Sequence, residues 1–228
     1  MPVNLHLFSL PGEEDIRYIL EASRPYLEGK PDATVAYLPL ASLFAERWQD
    51  ETDRAFRGLA RVETLNAELM TAAEMEAILR RATVVYIPGG NTFLLNHRLH
   101  ASGVMGYLRK KVQAGLPLVA FSAGAILCGP NILTSKDMNT VSTSCFEGLH
   151  ATPFNLLTHY GQDGYLRSIH DEWLAAYHFF HDNPVIMLCD GVYMQVQGKR
   201  TCLVRGEAWI LRKDEEKQRL EPGQMISP

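Results

Sequence analysis

The sequence predicts an α/β protein of three layers, α/β/α, built on a mainly parallel sheet with β-hairpins added in its C-terminal third. Two observations carry that reading. Short apolar, β-leaning runs alternate with longer amphipathic segments through the first two thirds of the chain, the pattern of strands covered on both faces by helices. Beyond about residue 185 the pattern changes to strand-like runs punctuated by Gly-Lys, Arg-Gly and Pro-Gly, which are hairpin signals. The 228 residues contain no linker, repeat or low-complexity tract, so residues 1–228 are read as one domain.

The elements follow in order. Val3 to Ser9 reads as a strand, and residues 10–15 (LPGEED) as a loop entering a helix. Thr34 to Leu40 is a second strand, followed by a helix through FAERWQDETDRAFRGL; Arg61 to Leu65 is a short third strand. Thr71 with Glu74 three residues on has the spacing of a capping box, which starts a helix over TAAEMEAILRRA. Thr83 to Ile87 is a β-branched strand that ends in Pro88-Gly89-Gly90. Two helical segments, NTFLLNHRLHAS and VMGYLRKKVQAG, lead to a strand at Pro117 to Phe121. Helical LRSIHDEWLAAYHFF then precedes PVIMLCD and the hairpin region.

Composition narrows the function. A net charge of −4 supplies no basic field for nucleic acid or an anionic membrane surface. No run approaches the roughly 18 apolar residues of a membrane span, and the N-terminus lacks a signal-peptide pattern. Cys128, Cys145, Cys189 and Cys202 are scattered among small or apolar neighbours, as reduced, packed thiols are. A cytoplasmic location is expected. His178 and His181 have a helical i, i+3 spacing that a metal could use, but no further ligands of matching spacing, so no metal or cofactor is expected.

The informative stretch is Ala120-Phe121-Ser122-Ala123-Gly124. It places a serine where a buried strand turns into a helix, among residues small enough for a sharp turn. Such a turn lifts a nucleophile clear of the sheet at the carboxyl ends of the strands, where ligands gather. The Ala123 N–H would then point into the N-terminal field of the helix, suited to an oxyanion. Alternatively, Ser122 is simply an N-cap. In Gly89-Gly90-Asn91-Thr92 the glycines allow close backbone approach to a ligand, and Asn91 suits the next helix as N-cap. Phe93, Leu94 and Leu95 behind the turn read as core.

These residues resemble peptidase family S51, which contains dipeptidase E (aspartyl dipeptidase) and cyanophycinase. The resemblance rests on Gly89-Gly90-Asn91-Thr92, Ser122-Ala123-Gly124-Ala125, Thr134-Ser135-Lys136-Asp137-Met138 and His159 in LLTHY, in that order. It implies a fold like the class I glutamine amidotransferases (flavodoxin-like), and a serine exopeptidase acting on short peptides without a cofactor. It also implies Ser122 as nucleophile, His159 as general base and Asp137 as the residue orienting His159, with Glu147 the alternative because cyanophycinases use a glutamate. The Gly90 and Ala123 N–H groups would form the oxyanion hole. Asn91 is a candidate for substrate binding, and so is Arg167, since an Asp-X preference requires a cation and Arg167 is the only arginine of HYGQDGYLRSIHDEW; the alternative for Arg167 is a solvated helix residue. Asp163, four residues before it, would repel an acidic side chain if it faced the site. Another hydrolase on the same elbow, or a silent ligand-binding member, is the rival reading. The partner implied is a short peptide; a homo-oligomer is left open by the sequence.

Overall fold

The computed structural model describes residues 3–10, 15–161 and 167–226. The loop expected at residues 10–15 falls largely outside them, as does Asp163. Every strand and helix expected in the first two thirds is present. In chain order they are β1 (Asn4–Phe8), α1 (Asp15–Leu27), β2 (Thr34–Tyr37), α2 (Glu46–Phe56), β3 (Arg61–Thr64), α3 (Ala72–Arg81) and β4 (Val84–Ile87). Then come α4 (Thr92–Ala101), α5 (Met105–Gln113), β5 (Leu118–Phe121) and a single turn, α6 (Ala123–Ile126). The Thr71–Glu74 capping box forms as expected: Thr71 Oγ1 accepts from the Glu74 N–H, and Glu74 accepts from the Thr71 N–H.

Five strands pair in parallel in the order β1-β5-β4-β2-β3. The antiparallel strands β8 (Tyr193–Gln197), β9 (Arg200–Arg205) and β12 (Met225–Ile226) extend this sheet from β1, making eight strands. The run LVAF of β5 lies between β1 and β4 and is buried at its first three positions, as a strand covered on both faces must be.

The C-terminal third does more than extend that edge. After β6 (Asn155–Leu157) and α7 (Arg167–Phe180), the strands β7 (Val185–Leu188), β10 (Ala208–Leu211) and β11 (Gln218–Leu220) join β6 in a separate four-stranded sheet, ordered β11-β10-β7-β6. Here β6 and β7 run parallel, with Leu157 opposite Met187. One continuous apolar cluster reaches from Leu5, Ile87 and Leu118 of the large sheet to Leu156, Ile186 and Ile210 of the small one. That packing brings the carboxyl ends of β6 and β7 to the carboxyl end of β5.

Candidate active site

Ser122 follows β5 with φ 49° and ψ −115°, a left-handed backbone uncommon for a residue with a Cβ. Its N–H is held by the carbonyls of Phe8 and Ser9 at the end of β1, at 3.0 and 3.1 Å. The crowding explains the small neighbours. A Cβ on Gly124 would stand 2.5 Å from the Ile87 carbonyl oxygen, and one on Gly89 would stand 3.1 Å from Ser122 Cβ. The side chain of Ser122 makes no capping bond to α6. Its Oγ lies 2.9 Å from His159 Nε2 instead, which decides against the N-cap alternative.

His159 sits two residues past β6, also at positive φ (57°), and its N–H donates to Ser9 Oγ at 2.8 Å. Its Nδ1 lies 2.7 Å from Asp190 Oδ1. With Nδ1–H donating to that carboxylate, Nε2 carries the lone pair that accepts from Ser122 Oγ–H. Asp190 stands two residues past β7, and the parallel register of β6 with β7 is what sets it beside His159. Ser9 ties the group together: its buried hydroxyl also donates toward Asp190 Oδ1 and the Leu188 carbonyl, at 3.1 and 3.2 Å.

The carboxylate set against His159 Nδ1 is thus that of Asp190, and the expected Asp137 is engaged elsewhere. Asp137 Oδ2 instead accepts from the Thr92 N–H, Thr92 Oγ1 and Ser135 Oγ, at 2.7, 2.6 and 3.0 Å. Together with the Asn91 Nδ2–H bond to the Met138 carbonyl at 2.9 Å, it clamps the Gly89-Gly90-Asn91-Thr92 turn in place. Glu147 is engaged elsewhere too, by Arg109 and His150, and the pairing with Arg109 holds its carboxyl below the ordinary range. Asp190 and Ser9 are the two residues that sequence reading missed. The available signal was an acid closing the apolar strand PVIML, the same strand-end position that singled out Ser122.

The remaining assignments divide. Gly90 lines the cavity beside Ser122, with φ 131°, and a Cβ there would stand 2.5 Å from the Ala41 carbonyl oxygen. Asn91 caps α4 through Leu94 N–H at 2.9 Å and also lines the cavity. Leu94, expected in the core, lines it as well, whereas Phe93 and Leu95 are buried. Because α6 is one turn, any anion stabilisation at Ala123 rests on its N–H and not on a long helix dipole. Arg167 is turned to the other sheet: it pairs with Glu207 at 3.0 Å and lies over the rings of Tyr160 and Trp209. His100 meets Cys145 and the Glu147 carbonyl, and His178 Nδ1 meets the His181 carbonyl. All four cysteines are free thiols, and burial pushes Cys128 and Cys189 up from the ordinary thiol range.

A parallel α/β sheet with a serine–histidine–aspartate chain at its strand ends defines the class as a hydrolase of the serine type. The family model "Peptidase family S51" matches residues 8–204, so the chain belongs to peptidase family S51 and is a serine-type peptidase. It is 33% identical over 178 residues to the probable alpha-aspartyl dipeptidase of Drosophila melanogaster, covering 75% of this chain and 72% of that one. It is 27% identical over 222 residues to the peptidase E of Salmonella typhi, covering 94% and 95%. Among solved structures it resembles a peptidase from an acI-B1 Actinobacterium (TM-score 0.72, 18% identity, 100% and 97% covered). It also resembles a putative peptidase E from Listeria monocytogenes EGD-e (TM-score 0.65, 23% identity, 97% and 100% covered). Among the described residues no helix is long and apolar enough to cross a membrane.

Proposed function

We propose that the protein is a dipeptidase in which Ser122, His159 and Asp190 act as a catalytic triad. The single observation that supports this most is the continuous chain from Ser122 Oγ to His159 Nε2 (2.9 Å) and from His159 Nδ1 to Asp190 Oδ1 (2.7 Å). Ser122 Oγ attacks the peptide carbonyl as His159 Nε2 takes its proton, giving a tetrahedral intermediate with an imidazolium beside it. Asp190 holds the tautomer that makes Nε2 the acceptor and stabilises that imidazolium. The intermediate's oxygen is received by the N–H groups of Gly90 and Ala123, on the turn that Asp137 clamps and on the first residue of α6. His159 then protonates the departing amine, and water repeats the sequence on the acyl-enzyme. The dipeptide scale is supported by the names of the curated relatives. Four free thiols are what a reducing compartment maintains, which supports a cytoplasmic location. The pairing of Arg167 with Glu207 gives no support to an Asp-X specificity.

The test is Ser122→Ala. Fluorophosphonate labelling should disappear and dipeptide turnover should fall by on the order of 10⁴ to 10⁶ in kcat, with the fold retained. Retained turnover in that variant would remove Ser122 from the chemistry.

A further inference from the structure

Ser122 and His159 open onto a cavity of about 760 Å³ whose wall includes Tyr37, Leu43, Phe44, Trp48, Tyr86 and Phe121. Three of these leave large apolar area in water: Leu43 is 69% exposed, Phe44 52% and Trp48 48%. They lie on one short stretch, the loop before α2 and its first turn. Adjacent apolar side chains left open at the mouth of a site are what a ligand's own apolar surface would cover.

The charges point the same way. Among the described residues of the wall, Glu51 is the only side chain of fixed charge. Nearby cations are engaged: Arg98 with Glu68 and the carbonyls of Leu40 and Ser42, Arg47 over the Phe44 ring at 4.6 Å, Arg167 with Glu207. A substrate carboxylate entering this space would lose water and gain no cation from the described residues of the wall, while facing the charge of Glu51. An apolar side chain would lose only unfavourable hydration.

We propose that the site reads an apolar or aromatic side chain on the residue that donates the scissile carbonyl, and discriminates against an acidic one. The substrates are short peptides beginning with residues of the leucine, methionine or phenylalanine kind. This rests on the peptidase reading of Ser122 and narrows it.

The experiment compares kcat/KM for Phe-Gly, Leu-Gly, Ala-Gly and Asp-Gly in the wild type, Trp48→Ala and Arg47→Ala, with fluorophosphonate labelling of each protein. Phe-Gly and Leu-Gly should exceed Ala-Gly by roughly ten-fold or more, the scale on which an apolar pocket discriminates, and Asp-Gly should be slowest. Trp48→Ala, at a half-exposed position whose loss leaves no core cavity, should shrink the Phe-Gly to Ala-Gly ratio by roughly ten-fold. Asp-Gly cleaved fastest would overturn the proposed specificity while leaving the peptidase intact. Loss of that preference in Arg47→Ala would then transfer the recognition to Arg47. No turnover of any of the four would overturn the dipeptidase reading itself, and this inference with it.

Discussion

Two aspartates at this site do different work, and the difference is one of partners. Asp190 accepts from an imidazole N–H, whereas Asp137 accepts from the N–H and hydroxyl of Thr92, on the turn that carries Gly90, and from the hydroxyl of Ser135. Asp190→Asn should therefore keep the thermal midpoint near that of the wild type while lowering kcat by on the order of 10⁴, because an amide no longer selects the tautomer with Nε2 free. Asp137→Asn should act on the turn instead. Weakening charged hydrogen bonds of this kind costs roughly 1–3 kcal/mol, which for a chain of this size lowers the midpoint by several degrees. Thermal melts beside kcat measurements separate the two. A large drop in kcat without any loss of stability in Asp137→Asn would contradict the clamp.

At the scale of elements, glycine positions show where helices are pressed against strands. Gly124 in α6 lies against β4, and an added Cβ would stand 2.5 Å from the Ile87 carbonyl oxygen and 2.9 Å from its Cγ2. Gly106 in α5 has nothing within 4 Å of that position. Helix propensity alone favours alanine at both by about 1 kcal/mol. At Gly106 nothing opposes it, so Gly106→Ala should raise the thermal midpoint by a few degrees. At Gly124 the backbone carbonyl cannot retreat without moving β4, so overpacking of roughly 1–3 kcal/mol prevails. Gly124→Ala should lower the midpoint and, by shifting the turn at Ser122, lower activity as well. Equal midpoints for the two variants would show that α6 is less constrained than its packing implies.

At the scale of the whole molecule, His6 joins three elements around the centre of the large sheet. Its Nδ1 meets Tyr193 Oη of β8 at 2.6 Å and its Nε2 meets Tyr26 Oη of α1 at 2.7 Å. Burial lowers its pKa from 6.5 to about 4 and, with Tyr193 buried beside it, raises that phenol to about 12. Below pH 6.5 the unfolded chain takes up a proton that the folded chain refuses until about pH 4. The contribution to stability is thus complete above pH 6.5 and is lost progressively as pH falls toward 4. At about 1.4 kcal/mol per pH unit it amounts to roughly 3 kcal/mol. Urea unfolding at pH 7.5 and pH 4.5 should show a larger loss in the wild type than in His6→Gln, which cannot titrate. Identical losses would place the acid sensitivity elsewhere.

Much of this protein was legible from local pattern. The strand at Leu118–Phe121, the capping box at Thr71 and the elbow at Ser122 each depend on residues within a few positions of one another, so composition and spacing suffice to find them. His159 was found only through the family resemblance, since nothing local marks it among eight histidines. The orienting acid was likewise expected from the resemblance, through Thr134-Ser135-Lys136-Asp137-Met138, whereas the structure sets Asp190 against His159 Nδ1. Asp190 reaches His159 because β7 pairs in parallel with β6 in a second sheet, which the structure has in addition to the expected hairpin of β8 and β9 on the edge of the first. Arg167 likewise looked like a cation for the substrate until the fold set Glu207, Tyr160 and Trp209 around it. The strands, the helices and the strained serine between them follow from short-range sterics and hydrophobic periodicity, so they could be read from residues close together along the chain. Which carboxylate meets the histidine, and what lines the cavity, were decided only by the tertiary structure, because both depend on strand pairings between residues far apart along the chain.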